Sequence, residues 1–167
     1  MIILGLDPGI AITGYGIIRT SDDDSTPEIL EFGVIDATAE GSTSSRLVFL
    51  YNRLSALLEQ YHPDYCALEK LFFQQNITTG MRVSEARGVI ELCLAQGHYP
   101  VAELSPNEVK MAITSYGHAS KKQVQEMVKT LLELDFIPKP DDAADALAIA
   151  LCRLSTLRLE QLLSDEE

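Results

Sequence analysis

The first nineteen residues, MIILGLDPGIAITGYGIIR, constrain this chain more than any other stretch. Two apolar runs meet at Asp7-Pro8-Gly9, and the second carries Gly14 and Gly16. The pattern predicts strand, tight turn, strand. It therefore sets a carboxylate in, or just at the end of, a buried first strand. A buried carboxylate must be paired, hydrogen-bonded or bound to a cation. Asp7 can equally cap the turn, as Asp before Pro-Gly often does. Gly14 and Gly16 add no side chain beside it, so another group can approach the backbone closely.

After an exposed acidic stretch from Thr20 to Glu28, Ile29–Ile35 reads as a third strand, completing an antiparallel meander. Gly41 to Ser45 offers helix-capping residues, and Leu47, Leu50, Leu54, Leu57 and Tyr61 recur at helical spacing over Arg46–Tyr61. His62-Pro63-Asp64 ends that helix. Tyr65–Glu69 is a short apolar run that, like the first, stops at a carboxylate. Lys70 to Asn76 reads as a loop with two aromatics, Phe72 and Phe73. A second long helix is expected over Thr78–Gly97, with Met81, Val83, Ala86, Val89, Ile90, Leu92, Cys93 and Leu94 mostly inward. Val101–Leu104 is a fifth strand, and Ser105-Pro106 starts a helix with Ser at the cap and Pro at the first helical position. Another amphipathic helix spans Lys121–Leu134. Pro138 and Pro140 force a stop, and Asp141-Asp142 cap a last, alanine-rich helix running towards Leu163. Residues 164–167 should fray. The order βββαβαβ followed by helices, without repeat or linker, predicts a single α/β domain over residues 1–167.

The composition excludes several classes. No run of 18 apolar residues is present, so no membrane-spanning helix is expected. The Met1-Ile2-Ile3 start lacks the basic flank of a signal peptide. Cys66, Cys93 and Cys152 are widely spaced in apolar segments and read as buried free thiols in a reducing compartment. At first sight the net charge of −12 argues against a nucleic-acid binder. Its distribution softens that argument. From Lys70 to Lys139 there are eight basic against seven acidic residues, so the field near the middle of the chain can be positive.

Carboxylates close the first strand (Asp7) and the fourth (Glu69), and Asp142 and Asp145 share a face in the first turn of the last helix. If strands one and four are neighbours, Asp7 and Glu69 lie side by side, and the last helix can bring its pair to the same place. Such a cluster repels itself unless protons or cations intervene. Hard divalent cations, Mg²⁺ above all, take oxygen ligands, and two ions roughly 4 Å apart suit phosphoryl displacement. Each residue also has a plainer reading: Asp142 as a helix cap, Asp145 as a complement to the helix dipole, Glu69 as the partner of a Lys or Arg.

Together these residues resemble the RuvC family of Holliday junction resolvases, of ribonuclease H-like fold. The resemblance is carried by Asp7-Pro8-Gly9 with Thr13 to Gly16, Pro63 to Glu69, Ser84 to Val89, Lys121 with Gln123, Val124, Met127 and Val128, and Asp142 to Ala148. It implies a five-stranded mixed sheet flanked by helices. It implies a homodimer that binds four-way junction DNA and makes paired, symmetric nicks, using two Mg²⁺ ions, replaceable by Mn²⁺, on Asp7, Glu69, Asp142 and Asp145. By position, Lys121 assists catalysis, and Lys110, Lys121, Lys122 and Arg82 contact DNA. Phe72 stacks on an unpaired base, with Phe73 the alternative. The resemblance further implies a RuvA–RuvB branch-migration partner and a bacterial cytoplasmic, nucleoid-associated setting. Ile10-Ala11, Lys70 and the acidic tail depart from the family pattern. Two other readings stand beside it: an actin-like nucleotide-binding ATPase, whose phosphate loop opens similarly, and a non-catalytic junction-binding scaffold.

Overall fold

The computed structural model describes residues 1–21, 25–70 and 77–164. Five strands form one sheet: β1 (Ile2–Asp7), β2 (Ile12–Arg19), β3 (Glu28–Asp36), β4 (Tyr65–Glu69) and β5 (Val101–Leu104), in the spatial order β3-β2-β1-β4-β5. The first three are antiparallel, and β1–β4 and β4–β5 are parallel. The helices are α1 (Thr43–Tyr61), α2 (Ile77–Gln96), α3 (Pro106–Thr114), α4 (Lys121–Leu131) and α5 (Asp141–Ser164).

Period-two alternation divides the core between the two faces of the sheet. Leu4, Leu6, Ile17, Cys66 and Leu68 pack against Leu50 and Leu54 of α1 and Ile90 and Leu94 of α2. Ile3, Ile18, Ala67 and Leu104 face the other way, against α3, α4 and the Leu147–Leu157 stretch of α5. Asp7 shares its face of the sheet with Gly5 and Ile3, and Glu69 with Ala67, so both carboxylates belong to the α5 face. Leu54, fully buried between sheet and α1, is a single point of failure: truncation to Ala costs about 2–5 kcal/mol.

The close approach permitted by the glycines is made by α5. A methyl group on Gly14 would lie 2.0 Å from the Asp142 carbonyl oxygen, and one on Gly5 would lie 2.2 Å from that of Ala146. Backbone on backbone at this range is possible only without a side chain: Ala146 and Ala150 of α5 rest on Gly5 of β1, and Asp142 and Leu147 on Gly14 and Gly16 of β2. This contact sets the first turn of α5 over the end of β1.

Several sequence expectations change. α1 begins at Thr43, three residues early, because Ser42 caps it by accepting from the Ser45 N–H. α4 stops at Leu131 instead of Leu134, since Glu133 takes a left-handed conformation (φ 51°). The cap of α5 is not an aspartate: the Pro140 carbonyl accepts from the Ala143 and Ala144 N–H groups, and Asp141 and Asp142 are already helical. Met81 and Leu92, expected inward, are 62% and 54% exposed. They align with Glu85 and Gly88 on an outward stripe of α2, at spacings of four, three and four residues. Asp22 to Asp24, Phe72, Phe73 and residues 165–167 lie outside the described residues. All three cysteines are buried free thiols.

Candidate active site

The ladder between β1 and β4 pairs Leu6 with Leu68. One residue further on, Asp7 and Glu69 end adjacent strands on the same face. Asp7 also pairs with Gly14 across β2, and Gly14 is where the Asp142 backbone touches the sheet. Asp145 follows one turn later on the same helix. The four carboxylates picked out by the sequence are thus brought together by three contacts: a parallel strand pair, a hairpin and a helix seated on glycine.

Their electrostatics follow from crowding. Burial, then the charges of Glu69, Asp145 and Asp142, push Asp7 up to about 8. Glu69 is also raised, by burial and then by Asp145, against the pull of Lys121 and Lys110. Asp145 is raised by burial even though Lys121 opposes the shift. Lys121 Nζ lies 2.7 Å from Asp145 Oδ2 and 3.8 Å from Asp141 Oδ2. Burial works against the Lys121 charge, but the hydrogen bond to Asp145 and the surrounding aspartates outweigh it and raise its pKa.

Lys121 stands here because α4 starts here. Ser120 accepts from the Gln123 N–H while Gln123 Oε1 accepts from the Ser120 N–H, a reciprocal cap that fixes the first turn. Lysines at the first two positions of a helix oppose its dipole, and no acidic residue in that turn compensates. Compensation comes from α5 instead. Ser105 and Glu108 cap α3 in the same way, which carries Lys110 to the far wall. Glu69, Lys110, Lys121 and Asp145 line a cleft of about 180 Å³ with an apolar flank that includes Val109, Val124 and Ile149.

Lys122 and Arg82 are exposed and make no ion pair among the described residues; Arg82, on α2, is not part of the carboxylate cluster. Two residues had no place at the site in the sequence reading. Asp141 bridges Lys139 (2.6 Å) and Lys121. Arg87 reaches the Glu69 backbone. Their signals, acidic neighbours of Pro140 and an arginine inside the Ser84–Val89 motif, do not reveal a contact that depends on strand register.

The donors suit a hard cation. All are carboxylate oxygens, burial together with their mutual repulsion favours a proton on Asp7, and the Lys121 ammonium sits beside Asp145. Among the described residues, no three or more acidic, histidine or cysteine side chains are already arranged to hold an ion; an all-oxygen set is the donor chemistry that hard cations take.

The family model for crossover junction endodeoxyribonuclease RuvC matches residues 3–153. The chain belongs to the RuvC family. It is 51% identical over 152 residues to the crossover junction endodeoxyribonuclease RuvC of Thermosipho melanesiensis, covering 91% of this chain and 96% of that one. Among solved structures, it resembles Thermus thermophilus RuvC with a TM-score of 0.88 at 29% identity, covering 96% and 97% of the two chains. It also resembles T. thermophilus RuvC in complex with Holliday junction substrate, at 0.89 and 29%, covering 96% of each. The five-stranded mixed sheet flanked by helices is the ribonuclease H-like architecture of those structures.

Proposed function

We propose that this RuvC-family chain is an endodeoxyribonuclease that resolves Holliday junctions. The observation that carries the reading is the convergence of Asp7, Glu69, Asp142 and Asp145 on one end of the sheet, with Lys121 bonded to Asp145. Family membership and the likeness to a RuvC solved with junction substrate support it.

Asp7, Glu69, Asp142 and Asp145 would hold Mg²⁺, two ions per site, with Mn²⁺ as a substitute. Bound there, the metal supplies charge neutralisation at the scissile phosphate and a water acidic enough to act as nucleophile. The chain's own groups do the rest. Asp7 and Glu69, fixed at strand ends, give the site its rigidity. Lys121, held by the cap of α4, presents its ammonium to the phosphate and balances charge developing in the transition state. Lys110, across the cleft, and Lys122 and Arg82, on exposed surface, neutralise flanking backbone phosphates. Phe72 or Phe73 stacks on an unpaired base.

Paired nicking requires two sites. The exposed Met81–Glu85–Gly88–Leu92 stripe of α2 is the surface on which a second copy of the chain docks. A RuvA–RuvB partner and a bacterial cytoplasmic setting belong to the same proposal and rest on family likeness alone.

The test is cleavage of a synthetic mobile four-way junction beside linear duplex of the same sequence, with and without Mg²⁺. Symmetric nicks on the junction alone, only with metal, are expected. Asp7→Asn should abolish nicking and leave junction binding intact. Junction binding without nicks in either Mg²⁺ or Mn²⁺ would refute the nuclease reading in favour of a scaffold.

A further inference from the structure

Arg87 lies on α2, on the opposite face of the sheet from the carboxylates, and its side chain is only 13% exposed. Each of its three guanidinium nitrogens has a partner. Nη1 donates to the Glu69 carbonyl oxygen at 2.7 Å, Nη2 meets Glu103 Oε1 at 2.9 Å, and Nε meets Glu91 Oε1 at 2.8 Å. One planar group thus ties the last residue of β4, the edge strand β5 and its own helix together. Only arginine offers donors in a fixed fork of this width.

The carbonyl it reaches has a particular need. The parallel register that pairs Gly5 with Ala67 and Leu6 with Leu68 would, one step on, pair Asp7 with Glu69. The next donor on β1 would be the N–H of residue 8. That residue is Pro8, which has none. The Glu69 carbonyl therefore ends the ladder without a β1 partner, at the point where its side chain must be held against Asp7 and Asp145. An unpaired, half-buried carbonyl lets a strand end fray. Arg87 supplies the donor that Pro8 lacks.

We propose that Arg87 is a positioning residue for the candidate nuclease site: by holding the Glu69 carbonyl, it fixes the direction of the Glu69 carboxylate on the other face of the sheet. The inference rests on the nuclease reading above. The two Arg87–carboxylate pairs are anchors, since Glu91 and Glu103 are about half exposed and such pairs contribute little stability by themselves. They aim the guanidinium at the carbonyl.

The test compares Arg87→Met and Glu103→Gln with the full-length parent chain. Three quantities are read: single-turnover junction nicking at saturating Mg²⁺, Mn²⁺ binding to the DNA-free protein by electron paramagnetic resonance, and junction binding without metal. Displacing a ligand by a fraction of an ångström should slow nicking in Arg87→Met on the order of 10–100-fold and weaken Mn²⁺ binding, with metal-free junction binding unchanged within about twofold. Glu103→Gln keeps the bond to Glu69 and should stay near the parent in all three. Parent-like nicking and Mn²⁺ binding in Arg87→Met would overturn the proposal. So would equal losses in Glu103→Gln, because Arg87 would then only fasten α2 to β5. If Arg87→Met does not fold, Arg87→Lys, which keeps the charge but reaches a single acceptor, is read by the same outcomes. A parent chain that does not nick junctions refutes the nuclease reading, while Mn²⁺ binding still decides the role of Arg87.

Discussion

Replacing Gly14 by alanine isolates the contact on which the site depends. The added methyl would sit 2.0 Å from the Asp142 carbonyl oxygen and 2.5 Å from its carbonyl carbon. Ordinary contact begins near 3.4 Å, so that carbonyl must retreat by about 1.4 Å. Neither atom can rotate away, because both are helix backbone. Further along, α5 is pinned where Ala146 and Ala150 rest on Gly5. The helix must therefore lift at its first turn, which is where Asp142 and Asp145 sit. Overpacking of this kind costs about 1–3 kcal/mol, or a fall in melting temperature of roughly 2–12 °C for a chain of this length. A shift near 1 Å in a positioning group costs on the order of 100-fold in rate. Gly5→Ala is the control. Its methyl meets Ala146 and Ala150 backbone at 2.2 and 2.6 Å, one to two turns beyond Asp142, so it should cost similar stability but less activity per folded molecule. The assay is single-turnover junction nicking normalised to the folded fraction, beside thermal melts. Gly14→Ala with parent-like nicking, or equal normalised losses in the two variants, would refute the claim that Gly14 seats the carboxylate-bearing first turn of α5.

Without divalent metal, stability should fall as pH rises from about 4 to about 8. Over that window the folded state keeps a proton on Asp7 (about 8) that the unfolded chain (3.8) has released. The slope should not exceed about 1.4 kcal/mol per pH unit for each raised carboxylate. Saturating Mg²⁺ should flatten it, and urea melts across pH that are flat without metal would contradict the crowded site. Lys121→Gln should cut nicking sharply yet change stability by less than about 1 kcal/mol, because the Lys121 side chain is 51% exposed and its ion pair is screened; a much larger loss would make it a structural residue. Leu92→Glu, on the outward stripe of α2, should convert a dimer to monomers in sedimentation without lowering the melting temperature of the monomer. A persisting dimer would place the interface elsewhere.

What was legible in the sequence was whatever local periodicity and turn chemistry decide. The β1–β2 hairpin follows from two apolar runs about Asp7-Pro8-Gly9, and the α1 stripe from leucines at helical spacing. The glycines announced a close approach, but not by which element, since α5 lies more than a hundred residues away in the chain. The α2 error has a physical origin. Met81 and Leu92 are apolar, and periodicity cannot tell a side chain meant for this chain's core from one meant for another surface. Asp142 looks like a helix cap by residue type, but the Pro140 carbonyl accepts the first helical bonds and leaves Asp142 free to face Asp7. The Lys121–Asp145 and Arg87–Glu69 contacts join residues distant in sequence, and no spacing rule reveals them.

The charge balance takes on a different meaning once the residues are placed. A net charge of −12 repels DNA at long range, and the carboxylate cluster repels it again at the site. Local basic groups must overcome both. Lys110 and Lys121 line the cleft itself, and Lys121 is already partly neutralised by Asp145 and Asp141. A scissile phosphate entering the cleft therefore competes with Asp145 for the same ammonium. On the proposed reading, a divalent cation held by these carboxylates would relieve the competition by leaving Lys121 to the phosphate. Metal and DNA should thus favour each other's binding, and by linkage each raises the affinity of the other by the same factor. The acidic balance then becomes a source of selectivity: DNA that cannot place a phosphate among bound cations meets only the repulsion.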